Sequence, residues 1–163
     1  TWTYARMGSW YDALTEAEAM VSLPNAGLRE HTLYAEVILQ RLPVETDSRA
    51  RADLLQRLSQ TVGRMNKLAP AALDTRLAAT RLKLMQGHYD EAIKSMAMLE
   101  DEHPQNAALP YHLGMAYMIQ GMNSDEYSRW NAKRSLRRAQ KLANGSARAE
   151  VIAKALEAAG EIR

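Results

Sequence analysis

The sequence predicts an all-α fold, an array of antiparallel helical hairpins, on three observations. Gly87 and Gly121 stand 34 residues apart, and Pro70 and Pro104 repeat the interval; a fixed period of this length marks a stacked repeat unit. Between these breaks apolar residues recur at three and four residues, the period of a helix with one buried face. The composition, 47% hydrophobic and 25% charged over 163 residues, is that of a globular chain with room for one core, so residues 1–163 read as a single domain.

In chain order, residues 1–25 hold Tyr4, Gly8, Trp10 and Ala13 and form an incomplete first unit. Residues 28–70 form a longer, irregular second unit. Its first helix, Leu28 to Leu42, carries Leu28, Tyr34, Ala35 and Ile38 on one face. Residues Pro43 to Asp47 separate it from a long helix ending near Leu68, with Leu54, Leu55, Leu58, Val62 and Met65 at helical spacing and Asp47 or Ser48 as N-cap.

Residues 73–104 form the clearest unit. Leu77, Ala78, Leu82, Leu84 and Met85 lie in its first helix, which halts at Gln86-Gly87, where glycine takes the left-handed conformation. The second helix starts near Tyr89-Asp90-Glu91-Ala92, presents Ala92, Ile93, Met96 and Leu99, and stops at Pro104. Residues 107–144 repeat this plan. Leu113-Gly114 and Tyr117 lie in the first helix, Gln120-Gly121 ends it, and Ala132, Leu136 and Ala139 line the second. Residues 146–160 give a terminal helix with Val151, Ile152, Ala155 and Leu156 on one face, suited to capping the last hairpin.

The residues Leu113, Gly114, Tyr117, Gly121, Ala132, Leu136 and Ala139, with Gly87, Tyr89, Ala92 and Pro104 one period earlier, resemble the motif of the tetratricopeptide repeat (TPR) family. The resemblance implies an α-solenoid coiled into a right-handed superhelix. Tyr4, Gly8, Trp10 and Ala13 fall at the spacing of the middle of that motif, so the chain is expected to begin partway through a first helix. The start at Thr1 rather than methionine likewise reads as processing or excision from a longer product. The pattern is broken in three places. Asn144-Gly145 replaces the closing proline of the last unit, and Arg76, Ala79, Thr80 and Lys83 replace motif residues in the unit before it. Between Gly121 and Ala132 there are six residues more than the motif spacing, so Met122 to Ser128 are expected to form a longer turn or an extension of the second helix.

No constellation for catalysis stands out, and the chain reads as noncatalytic, without a cofactor or a metal. His31, His88, His103 and His112 are scattered without the helical pairing of metal ligands. No cysteine is present, which excludes a disulfide framework, a thiolate zinc site and a cysteine nucleophile. The acidic run Glu100-Asp101-Glu102 reads as a solvated helix end.

Function is expected on surfaces instead. The family resemblance implies that the first helix of each hairpin faces a concave groove, which places Leu77, Ala78, Arg81, Leu84, Met85, Tyr111, His112, Met115, Met118 and Ile119 there. The set is mostly apolar, and methionine adapts to irregular shapes, so a helix or extended segment of a partner protein is the expected ligand, with Arg81 orienting an acidic group. Burial of the same stripe against neighbouring helices is the competing reading. The lysines, arginines and asparagines with which some family members clamp a partner's terminal carboxylate are not reproduced at matching positions.

A second surface is basic: Arg129, Lys133, Arg134, Arg137, Arg138 and Lys141, with Arg148 beyond, and no acidic residue between Glu126 and Glu150. Such a stripe can meet nucleic-acid or lipid phosphates. A solvated outer face is the favoured reading, on the expectation that no aromatic residue interleaves with the charges as single-strand binding requires. The net charge of +2 does not by itself imply nucleic acid. Membrane contact is expected only through this patch or upstream sequence, and self-association through the incomplete first unit. A third reading makes the chain a regulatory part of a larger enzyme or membrane assembly. No apolar run nears the roughly 20 residues of a membrane span. The chain therefore reads as soluble, with cytoplasm favoured over periplasm and a longer membrane-tethered product left open.

Overall fold

The structure, a computed structural model, describes residues 10–121, 126–146 and 148–161. Among the described residues it is entirely helical. The helices are α1 (Trp10–Val21), α2 (Leu28–Arg41), α3 (Ser48–Leu68), α4 (Leu73–Met85), α5 (Tyr89–Glu102), α6 (Ala108–Gly121), α7 (Glu126–Leu142) and α8 (Ala149–Glu161), with a 3-10 turn at Leu42–Val44. The chain divides into two compact units, one ending at Gly87 and one beginning at His88.

In the first unit α2 packs between α1 and α3, and α4 packs on both α2 and α3. The core is built from Ala13 and Ala17 of α1, Ala35 and Ile38 of α2, Leu54, Leu58 and Met65 of α3, and Ala78 and Leu82 of α4. Small residues on α1 let it lie close to α2, and the long side chains of α3 fill the space behind. Polar contacts fix the register: Trp10 donates its indole N–H to the Val37 carbonyl at 3.5 Å, and Arg41 lies over the same ring at 5.3 Å from its centre. Tyr34 donates to the Glu18 carboxylate at 3.3 Å, and Arg57 of α3 pairs with that carboxylate and with Asp53.

Helix starts follow local chemistry. Asp47 accepts from the backbone N–H groups of Arg49 at 3.0 Å and Ala50 at 2.8 Å, capping α3 as its sequence predicts. The Glu30 carboxylate reaches back to the Gly27 N–H at 2.9 Å, closing the first turn of α2. The α4 helix stops where Gly87 takes φ of 90°, and the turn after α7 uses Gly145 at φ of 76°.

In the second unit α6 packs against α5 and α7, and α8 packs on α7 with a smaller contact to α6. The α6–α7 hairpin is close because Gly114 has no side chain: a Cβ there would meet Leu136 Cγ at 2.7 Å. Ala132, Leu136 and Ala139 are buried on α7 as the motif demands. Ala139, Ala143 and Ile152 form a small core beneath α8, with Tyr111 and Leu156 packed against it.

One alternative for the insertion is realised, and the start of the last helix differs from expectation. Glu126 to Ser128 belong to α7, so part of the insertion extends the second helix, while residues 122–125 lie outside the described residues. The last helix begins at Ala149 rather than Ser146. Tyr4 and Gly8 also lie outside the described residues, whereas Trp10 and Ala13 sit in α1.

Candidate functional site

The α6 helix is apolar almost all the way round. Leu109, Pro110, Leu113, Gly114 and Ala116 are buried, and with 100° per residue they occupy the side that faces α5 and α7. Tyr111, His112, Met115, Met118 and Ile119 fall together on an arc of about 120° opposite. All five are half-buried. These are the five α6 residues expected to line a groove. Four are apolar or aromatic, where a helix with solvent on one side ordinarily carries charge. Tyr111 also packs on the core beneath α8, and its ring meets His112 edge-on at 5.2 Å.

On α4 the expected residues divide. Leu77 and Met85 are half-buried, but Ala78 and Leu84 are buried at 7% and 4% exposure, and Ala78 belongs to the core of its unit. Arg81 is only 12% exposed along its side chain and forms an ion pair with Glu36 of α2. Its charge is answered within the chain, which corrects the expectation that it waits for an acidic group on a partner.

The acidic run at the end of α5 also needs correction. Glu100 is buried, and its carboxylate pairs with Arg138 of α7 at 2.7 Å. Burial pushes its pKa up, and Arg138 and Arg134 pull against that shift. Sequence reasoning missed this pair because its members lie in different hairpins, and no local pattern links them. Arg138 is thus partly engaged by a buried carboxylate of α5 rather than belonging wholly to a free basic stripe.

The remaining basic residues of α7 are exposed or half-exposed, and they do have an aromatic neighbour. Trp130 lies among them at 56% exposure, with the Arg134 guanidinium 5.4 Å from its ring centre. Tyr127, one turn earlier, is 68% exposed. The expectation that no aromatic residue interleaves with these charges is therefore wrong; the spacing of Trp130 from Lys133 and Arg134 carried that signal in the sequence.

A shallow cleft of about 450 Å³ opens beside α6, lined by Asp90, Lys94, Tyr117, Gln120, Tyr127 and Ser128. Gln120 bridges it, donating to Asp90 at 2.8 Å and accepting from Ser128 at 3.3 Å. Asp90, Gln120 and Ser128 thus satisfy one another across the cleft. Among the described residues no three histidine or acidic side chains converge as metal ligands. His31 is buried, and its pKa is pushed down by burial and by Arg64. No helix among the described residues is long and apolar enough to cross a membrane.

No protein-family model matches the sequence, and no curated protein matches it. Solved structures do resemble it. A thermophilic TPR protein of Thermus thermophilus superposes with a TM-score of 0.69 at 18% identity, over 95% of this chain and 77% of the other. A TPR protein from Parabacteroides merdae gives 0.57 at 15% identity, over 97% and 67%. MamA gives 0.51 at 10% identity, over 98% and 92%. The fold is thus that of tetratricopeptide repeat proteins.

Proposed function

We propose, from this TPR-type fold and the open arc of α6, that the chain is a noncatalytic scaffold holding an apolar segment of a partner protein. One observation carries the reading: Tyr111, Met115, Met118 and Ile119 share one half-buried arc of a helix whose other side is already packed. An apolar arc of this kind accepts the hydrophobic stripe of an amphipathic helix or an extended strand of side chains, and two methionines let it fit imperfect shapes.

A photo-crosslinking residue at Met118, with a second at exposed Lys154 as control, tests this. Crosslinks at position 118 to one apolar peptide, absent at 154, are the expected result. The double variant Met115→Glu, Met118→Lys should keep its helical circular dichroism and lose that crosslinked partner. Loss of helicity in the double variant would assign the arc to the core and remove the proposal.

A further inference from the structure

The outward face of α7 is built around a tryptophan. Ser128, Ala132, Leu136 and Ala139 are buried on one side of the helix. At 100° per residue, Lys133, Arg134, Arg137 and Lys141 fall within about 100° of one another on the other side, with Trp130 near the middle of that arc. Trp130 is 56% exposed. The indole thus sits in the centre of a cationic patch, with Tyr127, also exposed, one turn earlier.

We propose that this face docks on an anionic phospholipid surface. The charge is complementary: four cations lie on the arc, and the acidic residue of α7, Glu126, stands at its far N-terminal end. Arg138 is excluded from the docking set because Glu100 holds it. The ring chemistry favours lipid as well. An indole is apolar in body and polar at its N–H, which suits the headgroup layer. Arg134 over the ring at 5.4 Å brings a phosphate-binding fork to the same depth. Shape separates lipid from single-stranded nucleic acid. A strand is gripped in a groove with open ring faces for successive bases, whereas this face is the crest of one helix, with a guanidinium against its ring. A crest whose cations share one arc around a single ring matches a flat sheet of headgroups. The surface is distinct from the apolar arc of α6, so it stands or falls independently of the partner reading above.

The test uses the full chain in vesicle flotation, with pure phosphatidylcholine against phosphatidylcholine mixed with phosphatidylserine, at about 0.1 M and about 1 M salt. Binding to the anionic vesicles at low salt, lost at high salt and on neutral vesicles, is expected. Each basic residue near such a surface contributes about fivefold, so Lys133→Gln with Arg137→Gln and Lys141→Gln should weaken binding by roughly a hundredfold. Trp130→Ser alone should weaken binding while leaving its salt dependence intact, because the cations remain. All four positions are outside the core, and unchanged circular dichroism and melting will show that the variants are folded. Equal binding to neutral and anionic vesicles, no binding to either, or wild-type binding by the triple variant would overturn the proposal. So would preferential binding of a single-stranded oligonucleotide, with displacement of the vesicles from the chain.

Discussion

At Gly114 the absence of one methyl group decides how closely two helices approach. A Cβ at this position would press into Leu136 and lie 3.2 Å from the Ala132 carbonyl, so Gly114→Ala should cost about 1–3 kcal/mol in a urea melt. Gly87→Ala should cost about 1 kcal/mol for a different reason: its surroundings are open, but φ is positive. Thr75 presents the opposite case. It is fully buried, and its hydroxyl has no hydrogen-bond partner among the described residues. Thr75→Val keeps the shape and removes the stranded hydroxyl, so it should gain about 1 kcal/mol. His31 sets a pH dependence. Its folded pKa lies below the ordinary 6.5 because burial disfavours the imidazolium, so below that value the unfolded chain binds the extra proton more readily. The stability His31 contributes is present above about pH 6.5 and declines as pH falls. Unfolding melts across that range should show the decline, and His31→Leu should flatten it.

Among elements, α5 and α7 are tied through the ion pair of Glu100 and Arg138, whose carboxylate is buried and whose guanidinium is about half exposed. Removing the cation strands the anion. Arg138→Met should therefore destabilise the chain by about 1–3 kcal/mol at neutral pH. Glu100→Gln should be milder, because it removes the buried charge along with its partner's role. The raised folded pKa of Glu100 works with acid: its contribution is greatest below the ordinary carboxylate value and falls as pH rises through the folded value. A comparison of the two variants at pH 4 and pH 7, by chemical denaturation, reads both signs. The end of α5 also shows how a local reading goes astray. Three consecutive acids look solvated in the sequence, yet the helix register turns the first of them inward against α7.

For the whole molecule, the units on either side of Gly87 and His88 each gather their own core. In the second, the open side of α6 and the outward side of α7 present two chemically different surfaces, one apolar and one cationic with an indole at its centre. If both proposals hold, these surfaces take a protein segment and an anionic surface without competition. Raising salt from about 0.1 M to about 1 M should therefore abolish vesicle binding while leaving the α6 crosslink intact, and joint loss would show that the two surfaces are coupled.

The helical class, the hairpin period and most helix limits were legible in the chain, because glycine, proline and the three-to-four spacing act over a few residues. Leu113, Gly114, Ala132 and Leu136 named their own hairpin in advance. The five residues on the open arc of α6 could likewise be placed on one face by periodicity alone. Partner choice among side chains distant in sequence could not. Arg81 found Glu36, Glu100 found Arg138, and Leu84 became buried while Met85 stayed partly open. Such outcomes depend on how helices pack, since a side chain's exposure and charge are set by whatever element lies across from it. The sequence thus determined which helices exist and which face of each is apolar; only tertiary packing decided which of those faces and charges remain available to another molecule.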